Sequence, residues 1–213
     1  MTEKELVTAI HKSTYNANKD YADWAGAWLS KYGVEGFLVG RLADGIMSAK
    51  NSQRPPTWLT LETSFSELLA NQGKKPKGPR SEYMKDTNRL DIALYYGESL
   101  SHAIEVKRIW SQKCFDDLGR LCDLVKHCGK NAGGTLKCGV FVLPIEAKVK
   151  KDLAPQECLD ESFGLREREC EEYLKKYKGI RVPSFSRGTK VLGYYLISED
   201  QKAVFSSLCV VIK

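Results

Sequence analysis

Long apolar runs are missing from this 213-residue chain. Its strongly apolar stretches, such as Val140-Phe141-Val142-Leu143, fall far short of a membrane span, so no membrane partner is expected. The opening, Met1 to Lys12, carries acidic residues and no long hydrophobic region, and no secretory signal is expected there. C-x-x-C pairs are also missing. Seven cysteines are an odd number in a chain too long to need disulfide staples, which points to reduced thiols and a cytoplasmic protein. Cys122, Cys128 and Cys138 follow one another closely with His127 among them; zinc ligation competes there with the commoner role of buried core thiols. Histidine is scarce, and His11, His102 and His127 have no metal-site spacing. Gly129-Lys130-Asn131-Ala132-Gly133-Gly134-Thr135 lacks the spacing of a phosphate-binding P-loop. Gly97-Glu98-Ser99-Leu100-Ser101 lacks the second glycine of a hydrolase nucleophile elbow.

What is present is an ordinary globular balance, 42% apolar and 28% charged, enough for one domain or two small ones. The net charge is +6, which suits a polyanionic partner without establishing one. Divided at Trp110, the chain carries 15 basic and 13 acidic residues before the cut and 18 and 14 after it. Neither part is a basic tail, so any nucleic-acid surface must come from folding.

Residues 1–60 read as a helical N-terminal extension. Thr2-x-x-Glu5 before Leu6 and Val7 is a capping box for a helix expected to reach about Lys19. Tyr21, Trp24, Trp28 and Leu29 suggest a second helix, and Phe37, Leu38, Leu42 and Ile46 a third from Val34. Residues 50–57, with two prolines, read as a loop, and helix is expected again within Leu61 to Asn71. Gly73 to Arg80 forms a basic loop in which Lys74, Lys75, Lys77 and Arg80 are candidates for phosphate contact, against the alternative of a solvated connection. Further on, the pattern predicts a helix over Lys113 to Cys128, a strand over Lys137 to Leu143 and a helix after Pro155. Val191 to Ile197 and Val204 to Ile212 are expected as a C-terminal hairpin. Helices, then strands, then a helix and a strand indicate an α/β or α+β domain, most simply one compact unit.

At Arg89 the period changes from helical to alternating. Leu90, Ile92 and Leu94 take one side of a strand, and Asp91, Ala93 and Tyr95 the other; Ile104 and Val106 alternate with Glu105 and Lys107 on the next. A hairpin turning near Ser99 sets Asp91 opposite Lys107, with Glu105 its diagonal neighbour, all on one face. Two carboxylates and a backbone carbonyl, here that of Val106, are hard oxygen ligands for Mg²⁺. Such a metal generates a hydroxide nucleophile and polarises a phosphoryl oxygen. A neighbouring lysine can orient the attacking water or offset charge on phosphate.

In Asp91 followed by Glu105-Val106-Lys107 the chain resembles the PD-(D/E)XK nuclease superfamily, whose signature is an acid on one strand and acid-x-Lys on the next. Leu90 stands where the family's name places proline. The resemblance covers roughly Leu61 to Leu143 and implies a restriction-endonuclease-like core, a mixed four-stranded sheet flanked by helices, with Ser81 to Lys85 as first strand and the core and its additions filling residues 61–213. It implies an Mg²⁺-dependent nuclease, with Mn²⁺ able to substitute, hydrolysing phosphodiester bonds in DNA. Asp91 and Glu105 would be metal ligands and Lys107 the catalytic cation. Many members add a glutamate from the helix before the sheet; Glu67 is the first choice, Glu35 and Glu62 compete, and Ser64-x-x-Glu67 is equally a capping box. Glu82 could lie beside the metal or pair with Lys85 or Arg89. Asp116, Asp117 and Arg120 read as the solvated side of their helix. With no cysteine before Cys114, the iron–sulphur elaboration of some relatives is not expected. One site per chain must act twice or in pairs to cut both strands, which leaves a homodimer open. The alternative is a non-catalytic nucleic-acid-binding or protein-interaction module that keeps the fold without its chemistry.

Overall fold

A computed structural model describes residues 1–49, 57–71, 87–181, 183–198 and 201–213. The capping box at Thr2 forms: Glu5 N–H donates to Thr2 Oγ1 at 3.3 Å, and Thr2 N–H to Glu5 Oε2 at 2.7 Å. It opens α1 (Glu3–Ala25), which continues past Lys19 because nothing breaks it before Gly26, left-handed at φ 62°. The separate second helix expected from Tyr21 is therefore reduced to α2 (Leu29–Tyr32). Next comes α3 (Glu35–Ala49), which crosses α1 closely. A Cβ on Gly45 would stand 1.7 Å from Ser13 Oγ, so this crossing needs glycine.

Strand β1 (Thr57–Ser64), which the sequence pattern did not announce, precedes the helix expected within Leu61 to Asn71, and that helix forms as α4 (Phe65–Asn71). Three threonines and Trp58 favour the extended form, and pairing with β2 (Arg89–Tyr96) completes it. Strands β2 and β3 (Ser99–Val106) form the expected hairpin, turning at Gly97-Glu98 with Gly97 at φ 60°, where primed hairpin turns take glycine. After α5 (Lys113–Cys128) and a 3-10 turn (Lys130–Ala132), β4 (Cys138–Lys148) pairs parallel to β3. Then follow α6 (Pro155–Leu174), β5 (Ser184–Arg187), β6 (Leu192–Ser198) and β7 (Gln201–Ile212).

The described strands make one mixed sheet in the order β1-β2-β3-β4-β7-β5, six strands wide. The seventh, β6, shares with β5 the outer edge of β7, and β6 with β7 is the expected C-terminal hairpin. The four-stranded sheet of the sequence reading is thus too small, because the C-terminal strands join it through the long β4–β7 ladder instead of standing apart.

Both faces are covered. On one, Ile92, Leu94, Ile104, Val106, Val140 and Val142 pack against α1, α2 and α3. On the other, Ala93, Tyr95, Ala103, Phe141 and Leu143 pack against α4, α5 and α6. Leu90 belongs to this second core and not, as expected, with Ile92 and Leu94. A sheet enclosed on both sides leaves room for charge only at its ends, and the charged side chains of β2 and β3 collect at one of them. No described helix is long and apolar enough to cross a membrane.

Candidate active site

Register decides which side chains meet. Ile92 pairs with Ile104, so Asp91 lies across from Glu105, not from Lys107 as the turn placed at Ser99 required. The true turn is tighter, and an irregularity between Leu94 and Tyr95 shifts the ladder below it. The displacement is two residues, so facial parity survives and the carboxylates still share a face.

Asp91 Oδ2 accepts the Val106 N–H at 2.7 Å, fixing the carboxylate against the end of β3. Glu105 Oε1 accepts from Arg120 Nε at 2.8 Å, while its buried Oε2 is reached by no N–H or hydroxyl donor among the described residues; the Glu105 and Asp91 carboxyls lie close enough to share a proton. Lys107 follows the last residue of β3, held there by its N–H donating to Val142 O at 2.9 Å. Its Nζ lies 2.9 Å from Glu35 Oε1, 3.0 Å from Asp117 Oδ2 and 3.4 Å from the Val106 carbonyl oxygen. Asp91, Glu105, Val106 and Lys107 are therefore brought together.

Glu35 opens α3 and is doubly engaged, with Lys107 through Oε1 and with the Arg108 N–H through Oε2 at 3.1 Å. Of the three candidate helix-borne acids, it alone has a recorded contact with Lys107. Glu67, the first choice, serves its own helix: Oε2 accepts from Ser64 N–H at 3.2 Å and Ser64 Oγ at 3.0 Å, which is the capping box. Glu62 is exposed on β1 in a left-handed conformation, φ 51°. Lys74, Lys75, Lys77, Arg80, Glu82 and the Ser81 to Lys85 strand lie outside the described residues.

Two members of the cluster escaped the sequence reading. Asp117 and Arg120 turn inward from α5; Asp117 is 1% exposed, and Arg120 bridges it to Glu105. The signal was their spacing: 117, 120, 121 and 124 share one helical face, and Leu121 and Leu124 are core residues. The expected solvated face holds for Asp116, which is exposed, and fails for Asp117 and Arg120, because this helix is covered on more than its apolar stripe.

Four carboxylates (Glu35, Asp91, Glu105, Asp117) thus surround two cations, Lys107 and Arg120. Burial pushes the Asp91 carboxyl up to about 6, against the Val106 N–H bond and the Lys107 charge, which favour ionisation. Burial and the nearby Asp91 raise Glu105 well above the usual carboxylate range, with Arg120 opposing. Asp117 is raised by burial despite Arg120 and Lys107. Burial works against the charge on Lys107, but Asp117 and Glu35 outweigh it, and the amine is held protonated. Fully ionised, the cluster carries two more negative charges than positive, so it favours a proton or a bound cation.

Among the described residues no three His, Cys, Asp or Glu side chains form a ready-made metal cage. The donor set nevertheless fits a hard divalent cation: the Glu105 Oε2 that no described donor reaches, the part-exposed Asp91 and the Val106 carbonyl are all oxygen. Cys122, Cys128 and Cys138 are buried and form no disulfide among the described residues, and burial pushes Cys122 and Cys138 up to about 12, making them poor thiolate ligands. No family model matches the chain, and comparison with curated proteins and with solved structures gives no significant match.

Proposed function

We propose that the chain is a divalent-metal-dependent nuclease of the PD-(D/E)XK kind, hydrolysing phosphodiester bonds in DNA. The observation that carries this reading is the gathering of Asp91, Glu105 and Lys107 at one end of the β2–β3 hairpin, linked through Val106, Asp117 and Arg120, with surplus negative charge and a Glu105 oxygen that no described donor reaches. The order α3, β1, α4, β2–β3, α5, β4 supports it: it contains the helix, strand, strand pair, helix and strand that the resemblance implies, begun further upstream and with α4 inserted between β1 and the pair. Within this reading Glu35 takes the place of Glu67 as the helix-borne acid.

Asp91, Glu105 and the Val106 carbonyl would hold Mg²⁺ or Mn²⁺. When bound, the metal supplies water activation at neutral pH and charge stabilisation on phosphate. The protein's own part is positional. Arg120 keeps Glu105 Oε1 engaged and leaves Oε2 for the ligand role. The Val106 N–H fixes Asp91. Lys107, kept cationic, orients the attacking water or meets the charge growing on phosphate, and Glu35 positions the amine for either task. Cutting both strands of a duplex calls for one such site acting twice or for two sites, which a homodimer would provide.

The rival reading, a binding module that keeps the fold without chemistry, draws on the ion pairs Lys107–Glu35, Lys107–Asp117 and Arg120–Glu105, which already tie β3 to α3 and α5. Supercoiled plasmid and labelled single strands, incubated with Mg²⁺, Mn²⁺ or EDTA, separate the two. The nuclease reading expects metal-dependent cleavage by the wild type and none by Lys107→Ala or Glu105→Ala. Cleavage surviving both substitutions, or no metal-dependent cleavage of any substrate, rejects it.

A further inference from the structure

At the other end of β3, away from Glu105, lies a cavity of about 660 Å³, a size suited to a small organic ligand. The last turn of α5, the 3-10 turn and the segment running into β4 form one side of it, and the segment following α6 forms another. Lys126, Lys130, Lys137, Lys178 and Arg181 line it. Glu3 is the single acidic side chain among its described lining residues, and Lys213 Nζ at 2.7 Å already neutralises it. None of the five cations forms an ion pair with a carboxylate among the described residues; Lys137 rests 5.7 Å from the Tyr96 ring centroid instead. Part of the wall is apolar, from Val125, Leu136 and Ile180.

His102 also lines this cavity. It is 1% exposed, and neither ring nitrogen has a hydrogen-bond partner. A buried imidazole without partners is uncommon in a folded protein, since each orphaned polar group raises the free energy of the fold. Burial, reinforced by Lys137, pushes its pKa down to about 4, so at neutral pH the ring is uncharged and offers one N–H donor and one acceptor. A ligand reaching the cavity floor would satisfy the donor.

We propose that this cavity binds a small organic di- or polyphosphate of nucleotide size, its phosphates among the five cations and one phosphate oxygen accepting from His102. Lysine and arginine supply charge-assisted contacts to phosphate oxygens, and the apolar wall takes the organic part. Such a ligand carries enough negative charge to match the excess of cations, whereas a monoanion does not. The site lies apart from the carboxylate cluster and needs no metal.

Calorimetric titration of inorganic pyrophosphate and of ADP into the full chain tests this, in EDTA so that divalent metal at the carboxylate cluster plays no part. The expected result is saturable binding with a Kd of roughly 10–100 µM, weakened at least about tenfold in the Lys130→Ala/Lys178→Ala double variant. Both lysines are exposed, so the variant should melt at the wild-type temperature. In parallel, the His102 ring-proton resonance should move on titration, and with three histidines in the chain its assignment by His102→Gln is direct. No saturable binding below about 1 mM, equal binding by the double variant, or an unmoved His102 resonance overturns the proposal. So does a 5′-phosphorylated oligonucleotide that binds where ADP and pyrophosphate do not, which would assign the surface to a nucleic-acid strand.

Discussion

Replacing Asp91 by Asn should stabilise the protein, and by an amount that grows with pH. The Asp91 carboxyl sits at about 6, against 3.8 for an ordinary aspartate, chiefly because of burial. Ionising it therefore costs the folded chain about 3 kcal/mol more than the unfolded one. Folding raises this pKa, so the folded state holds its proton more tightly between about pH 4 and 6. Stability from this group is complete below that window and lost as pH rises through it. Asparagine keeps an oxygen for the Val106 N–H and removes the charge. It also removes the like charge facing Glu105. At pH 7.5 in EDTA the variant should gain up to about 3 kcal/mol, or roughly 6–12 °C in Tm for a chain of this length. Near pH 4.5, inside that window, the gain should fall to about 1 kcal/mol. Thermal unfolding followed by circular dichroism across pH 4.5–8 reads both. A variant less stable than wild type at pH 7.5, or a difference that ignores pH, would refute the account of a desolvated Asp91.

Arg120→Ala should do the opposite, leaving Glu105 and Asp117 without their shared counter-charge at a cost of about 3–5 kcal/mol at pH 7.5, less at pH 5, as urea titration would show. Glu67→Ala should cost about 1 kcal/mol through the lost cap of α4 while leaving metal-dependent cleavage intact, whereas Glu35→Gln should cut the cleavage rate at least about tenfold; paired rate and melting measurements distinguish the two. Gly45→Ala forces α1 and α3 apart at Ser13 and should destabilise the fold by about 1–3 kcal/mol, measured by urea unfolding.

Much of the fold was legible because helical and alternating periods are local properties. α5 begins at Lys113 and ends at Cys128, as its apolar stripe and Gly129 indicate, and the β2–β3 hairpin follows from the change of period at Arg89. The misread segments had ambiguous local signals settled by tertiary pairing. Thr57–Ser64, although rich in threonine, has too short an alternation to stand out as a strand until β2 lies beside it, and the sheet's true width depends on β7, whose β4 partner is distant in sequence. For the site, parity was readable and register was not: a two-residue error leaves the face unchanged but exchanges Lys107 for Glu105 as the neighbour of Asp91. Glu35 could not be separated from Glu67 by sequence, since both stand in the first turn of a helix and only packing shows which helix end meets Lys107. Asp117 and Arg120 were missed because charged residues flanking an apolar stripe ordinarily face water.

The most direct test of the central reading is Mn²⁺ binding followed by electron paramagnetic resonance or calorimetry on wild type, Glu105→Gln and Glu67→Gln. The account predicts a bound Mn²⁺ in the wild type and in Glu67→Gln, and its loss in Glu105→Gln. Equal Mn²⁺ binding by all three proteins, or none by the wild type, would contradict a metal centre built on Asp91 and Glu105.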